Sequence, residues 1–256
     1  MMDITVHEFP PVIEMQASPF GLKLETWLKM QGLSYRVEWD PQKMGPKGKV
    51  PFATLDGTVI GDSELIIERL AKTSVAELAA MNRAEDLLVR RLVEEHLYFI
   101  LVYSRWVDPD GWNEFRDLFF APAPALIRGL IARKVRKSVV QNLMGQGIAR
   151  HSPEEVYKKA KLDLEIAAVQ LGDKPFFTGE SPALVDASAY GLFANIYYSP
   201  VKGPLQDLLM SHDTLVSYVE RLKKLYWPKS RRGGGDESGF KAEEKAILKA
   251  VVQEIA

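Results

Sequence analysis

The sequence contains no cysteine, which excludes disulfides, thiolate zinc sites and a cysteine nucleophile. It also lacks an excess of either charge: 33 Lys and Arg stand against 34 Asp and Glu, for a formal net charge of −1. No global field therefore draws in nucleic acid or an anionic surface, and a charged partner would have to be met by a local patch. Long apolar runs are missing too. The longest charge-free apolar stretch, Ala187–Val201, is interrupted by Asn195 and Pro200 and falls short of the ~20 residues that span a bilayer. Met1 to Phe9 includes acids and has no apolar core of the secretory-signal type, so the expected location is the cytoplasm. Histidine is scarce, and neither His7 nor His96 has a partner at metal-ligand spacing. Glu94, Glu95 and His96 are adjacent and cannot share one helix face, so no metal is expected.

What is present is the composition of a folded protein: 256 residues, 46% hydrophobic and 26% charged. Ile4 to Phe9 alternates and starts β-branched, which reads as a strand. Ser18-Pro19 reads as an N-cap and a first-turn proline. Leu22, Trp27, Leu28, Met30 and Leu33 then form an apolar helix face that ends near Gly32. Tyr35 to Trp39 alternates again, completing a β-α-β unit whose crossover should be parallel. Pro51–Leu55 and Thr58–Ile60 flank the turn signal Asp56-Gly57, and Asp62-Ser63 caps a helix carrying Leu65, Ile66, Ile67 and Leu70. This is the strand and helix order of the thioredoxin fold. Beyond Met81 only helical patterns follow, over Ala84–Val107, Trp112–Phe120, Ala123–Met144, Pro153–Leu171, Leu184–Tyr198, Pro204–Met210 and Leu215–Leu225. The expected architecture is an α/β thioredoxin-like domain (1–74) joined to an all-α domain (82–227), then a Gly-rich joint and amphipathic tail helix (228–256).

Three local motifs carry chemistry. Ser18 is a hydroxyl at a helix start on a sheet edge where α/β folds bind ligands. Val50-Pro51 opens a strand after a Gly/Lys loop, and in thioredoxin-like sheets this bond is typically cis. Asp62-Ser63 opens a helix whose free N–H groups suit an anion. Each alone reads more readily as an ordinary cap or turn; the three in this order and spacing are far more specific.

Ser18-Pro19-Phe20, Lys49-Val50-Pro51 and Asp62-Ser63 resemble the glutathione transferase superfamily. The run from Ser18 to Met30, with Glu94 to Tyr98 later, looks most like its metaxin and failed-axon-connections branch. Phe176–Ala187 resembles the segment that starts a buried helix in the transferase C-terminal domain, and the resemblance covers roughly residues 3–226. It implies glutathione as co-substrate, bound by Lys49, Val50 and Pro51, with the Val50 backbone pairing with its cysteinyl part. Asp62 and Ser63 would hold the γ-glutamyl end, and Ser18 would donate a hydrogen bond to the sulfur. Phe20, Tyr98 and Tyr103 are candidates for an apolar acceptor pocket. The resemblance also implies a homodimer.

Four features depart from the family pattern. Ser18 and Gly21 stand where dithiol relatives carry cysteines. Asp62 is one methylene shorter than the usual Glu or Gln. Ala183 removes half of a capping box ending at Asp186. Asp40–Lys49 is too short for the usual second helix.

Between Asp117 and Glu154 no acid occurs, while Arg128, Arg133, Lys134, Arg136, Lys137 and Arg150 do. The helix over 126–144 is therefore either a solvated face or a contact for an anionic membrane surface or acidic partner. Two functions follow as expectations: a transferase conjugating glutathione to an apolar electrophile through a serine-stabilised thiolate, or a non-catalytic interaction module of the same fold.

Overall fold

The computed structural model describes residues 2–9, 11, 16–39, 44–72, 83–121 and 125–228. Strands β1 (Ile4–His7), β2 (Arg36–Glu38), β3 (Phe52–Leu55) and β4 (Thr58–Gly61) form one mixed sheet in the order β2-β1-β3-β4. β1 runs parallel to β2 and antiparallel to β3, and β3 pairs antiparallel with β4. Asp56 and Gly57 turn the hairpin with φ of +46° and +82°, the positive values that the short primed turns require and that Asp-Gly tolerates.

Helices α1 (Pro19–Met30) and α2 (Ser63–Ala71) close this half. Leu24, Trp27 and Leu28 of α1 and Ile66, Ile67 and Leu70 of α2 share a core with Ile4, Val6, Ala53 and Leu55 of the sheet. Between β2 and β3, residues 44–50 form turns, with Gly45 and Lys49 joined by a backbone hydrogen bond of 3.2 Å. Residues 40–43 and 73–82, and the tail helix expected beyond 228, lie outside the described residues.

The second half is helical. It comprises α3 (Ala84–Arg91), a π-helical segment (Leu92–Leu97), α4 (Tyr98–Trp106), α5 (Pro109–Phe119), α6 (Ala125–Gln146), a 3₁₀ turn (Ile148–Arg150), α7 (Pro153–Leu171), α8 (Leu184–Tyr197), α9 (Pro204–Met210) and α10 (Asp213–Tyr226). The continuous helix expected over Ala84–Val107 is thus interrupted by the π-segment, a distortion often found near functional sites.

α8 is buried from Leu184 to Ile196, as expected of a helix apolar on every side. Asp186 reaches back from its first turn to accept hydrogen bonds from the N–H groups of Ala183 (2.8 Å) and Phe177 (2.9 Å). Ala183 itself offers no side-chain cap, so the half-box anticipated from the sequence is what forms. α8 crosses α1 at Gly191, where a Cβ would lie 2.4 Å from the carbonyl oxygen of Pro19. Only glycine allows that approach.

Candidate functional site

The strand register brings the three motifs to one edge of the sheet. His7, at the end of β1, pairs with Phe52, at the start of β3, and Phe52 pairs with Gly61, at the end of β4. The chain segment leading to Ser18, the Val50–Pro51 bond and the Asp62-Ser63 helix start all leave from this edge. The Val50–Pro51 peptide bond is cis. Pro51 is buried, Val50 is half-buried and Lys49 is exposed.

Ser18 is partly exposed, and its Oγ accepts the N–H of Gly21 at 3.3 Å. The cap uses the oxygen as an acceptor and leaves the hydroxyl hydrogen available. The segment before it is held from the other half of the molecule. The Gln16 side chain accepts from the Ser18 N–H (3.2 Å) and donates to the Phe9 carbonyl (2.6 Å). Asn195 of α8 donates to the Gln16 carbonyl (3.1 Å), and Arg105 of α4 donates to the Ala17 carbonyl (3.1 Å). Arg105 also donates to the backbone and side-chain oxygens of Asn195, at 2.9 and 3.0 Å. Burial lowers the Arg105 pKa to about 10, with Tyr98 acting in the opposite direction.

Asp62 caps α2 by accepting the Glu64 N–H at 2.9 Å. Its backbone has a φ of +84°, a region that a non-glycine residue occupies only where its surroundings impose it. Its second oxygen lies 4.0 Å from Lys47 Nζ, which places a lysine that sequence reasoning did not single out beside the helix start. Ser63 is 4% exposed, and its hydroxyl has no hydrogen-bond partner among the described residues.

Behind these residues lies an ionic layer that sequence reasoning missed. Lys23 of α1 meets Glu94 of the π-segment at 2.6 Å, with both side chains buried. Glu64 meets the buried Arg90 at 2.7 Å and Arg91 at 3.4 Å. Burial would raise the Glu64 pKa, but the charges of Arg90, Lys23 and Arg91 outweigh it and hold the carboxyl below its ordinary value. On a helical wheel Lys23, Arg90 and Arg105 look like solvated charges. The one available signal was the polar character of faces that also carry the core.

Phe20 and Tyr98 pack edge-to-face, with ring centroids 4.8 Å apart. With Lys23, Glu94 and Ser188 they enclose a cavity of about 10 Å³, room for one water. An acceptor contact by these rings must therefore use their exposed sides. Tyr103 does not join them: it is buried and packs edge-on to Tyr157. His7 bonds to Thr54 and stacks on Phe52, and His96 pairs with Asp163, so both are tied into structure. Among the described residues no group of three or more His, Asp and Glu could hold a metal ion, and no helix is long and apolar enough to cross a membrane.

Comparison with known proteins decides the family. The family model for the glutathione S-transferase N-terminal domain matches residues 19–111, and that for the C-terminal domain matches 160–222. Isoprene-epoxide–glutathione S-transferase of Rhodococcus sp. (strain AD45) is 31% identical over 87% of this chain and 99% of its own length. The chain belongs to the glutathione S-transferase family. Within it, the metaxin-like branch is also represented. Failed axon connections of Drosophila melanogaster is 30% identical over 82% of this chain, and Metaxin-1 of Mus musculus 28% over 75%. The matches span only 54% and 63% of those two relatives' lengths. Among solved structures, the β-etherase LigF of Sphingobium sp. strain SYK-6 superposes with a TM-score of 0.59 at 15% identity, covering 88% of this chain and 99% of its own. A rice transferase solved with glutathione gives 0.56 at 12% identity, covering 97% of each chain. At such identities these structures show the fold alone.

Proposed function

We propose that this transferase binds glutathione at the edge where β1, β3 and β4 meet, and that Ser18 stabilises its thiolate for attack on a small apolar electrophile. The observation that carries this reading is the Ser18 cap: the oxygen accepts from Gly21, so its hydrogen is left to point at a sulfur outside the helix. In the proposed complex the Val50 backbone pairs with the cysteinyl part. The Ser63 hydroxyl and the first N–H groups of α2 take the γ-glutamyl carboxylate, and Asp62 and Lys47 stand beside its charged ends.

The energetics are sufficient. A thiol titrates near ~8.5 and is mostly protonated at neutral pH. Lowering that by two units takes about 2.7 kcal/mol. A hydrogen bond to the anion supplies ~1.5–3 kcal/mol, and the N-terminus of α1 roughly 0.3–1 kcal/mol more. The Rhodococcus relative, by its name a glutathione transferase of isoprene epoxide, supports an electrophile of that class.

Titration calorimetry tests binding. Glutathione should bind in the micromolar to millimolar range, and Ser63→Ala should weaken it. Absence of binding heat at millimolar glutathione would overturn the reading.

A second reading, an interaction module, has its own observation. α6 exposes Leu126 (96%) and Leu130 (65%) on a helix that also exposes Arg133 and Lys137 and has no acid. We infer a peripheral contact with an anionic membrane surface. Co-sedimentation with vesicles containing phosphatidylserine should be lost in Leu126→Asp; no sedimentation of the wild type would remove this reading.

A further inference from the structure

A second cavity, of about 290 Å³, lies between α4, α5, α7 and the connection from α8 to α9. Its size approaches that of small-molecule sites. Leu101, Ile196 and Leu205 supply apolar wall, and Arg105 supplies a cation. That side chain is only 6% exposed. A guanidinium has five N–H donors, and its three bonds go to Ala17 and Asn195. Among the described residues the Nε–H has no hydrogen-bond partner and no carboxylate pairs with the group, whose face lies 5.3 Å from the centre of the Phe115 ring.

The acids in the wall are held by partners other than Arg105. Asp108 is fully committed: one oxygen caps α5 by accepting the Asp110 and Gly111 N–H groups, and the other accepts the Tyr157 hydroxyl at 2.6 Å. Asp110 is exposed at the rim, as is Lys202, so the rim charges offset one another. The interior thus presents the Arg105 guanidinium beside the apolar wall, with the Asp108 carboxylate held on the α5 cap and on Tyr157. A buried charge of this kind is costly unless paired. Here it is preorganised by carbonyl groups, so it would lose little entropy on taking a ligand.

We propose that this cavity is a binding site for a small organic carboxylate, its apolar body against Leu101, Ile196 and Leu205 and its anion on Arg105. The site is separate from the glutathione edge and does not depend on that reading. Benzoate is a suitable probe, with neutral benzamide of the same shape as control. Both are titrated into ¹⁵N-labelled full chain and followed by amide chemical shifts.

Benzoate should shift the amides of Ser104, Gly111, Val201 and Gly203 at millimolar concentrations and bind at least about tenfold more tightly than benzamide, as a charge-assisted bond requires. Val201→Trp, at the half-exposed mouth, should abolish the shifts while leaving the rest of the spectrum folded. Arg105→Gln, if it folds, should bring benzoate down to the benzamide level. The proposal fails if these amides do not move at tens of millimolar benzoate, if only residues at the starts of α1 and α2 move, if Val201→Trp leaves the shifts in place, or if the two probes bind equally.

Discussion

Lys23 and Glu94 face each other at 2.6 Å, 1% and 8% exposed, and join α1 to the π-segment directly behind the Ser18 helix start. Removing one partner strands the other charge in the interior. Glu94→Gln should therefore cost about 3–5 kcal/mol, whereas replacing both by apolar residues of similar volume should cost much less. Urea denaturation of the single and double variants checks this; a single variant of wild-type stability would show that the pair is solvated.

Asp186 supplies a pH signature. Burial raises its pKa to about 6 from 3.8, even though the N–H groups of Ala183 and Phe177 and the Tyr218 hydroxyl stabilise the anion. The folded state then holds a proton that the unfolded chain has released, so this group's contribution to stability falls as pH rises from about 4 to 6. Asp186→Asn should be destabilised throughout, because it loses an acceptor, but its deficit against wild type should shrink across that window. Urea midpoints at several pH values measure it, and a constant deficit would contradict the assignment.

Gly191→Ala places a methyl against the Pro19 carbonyl oxygen, where backbone rather than a flexible side chain must yield. Overpacking of this kind should lower stability by about 1–3 kcal/mol. Because Pro19 follows Ser18, glutathione affinity should fall as well. Thermal unfolding and calorimetry on the same variant check both effects, and an unchanged melting temperature would show that the two helices slide apart freely.

The Arg105–Asn195 clamp predicts that Asn195→Ala loosens the Ser18 segment without touching ligand. It leaves the Gln16 carbonyl and part of Arg105 unsatisfied, at a cost of about 1–3 kcal/mol. Hydrogen exchange should accelerate at Gln16 to Ser18 more than across the sheet; uniform acceleration would mean that the clamp serves only global stability.

The strand-helix order, the turn at Asp56-Gly57 and most helix spans were legible because each rests on local signals: alternation, caps, and Gly or Pro punctuation. The one-edge convergence of Ser18, Val50 and Ser63 was legible through the β-α-β then β-β-α order. Other features depend on partners far along the chain. Lys23, Arg90 and Arg105 have the spacing of surface charges, and partners on other elements hold them inside: Glu94 for Lys23, Glu64 for Arg90, and Ala17 and Asn195 for Arg105. The π-segment itself has no residue signature within the helical run from Ala84. Tyr103 and Tyr98 are five residues apart, which puts them on different sides of a helix, but the sequence does not say which side faces the pocket and which the core.

The central claim is that the Ser18 hydroxyl keeps a bound thiol ionised, and the thiolate absorbance of glutathione bound to Ser18→Ala tests it most directly. The variant should lose about 1 kcal/mol of stability with its cap and bind glutathione nearly as well as wild type. The pKa of the bound thiol should rise by about two units, back toward its free value. If glutathione binds and its thiol titrates identically in wild type and variant, Ser18 is a cap and nothing more, and the proposed chemistry is wrong.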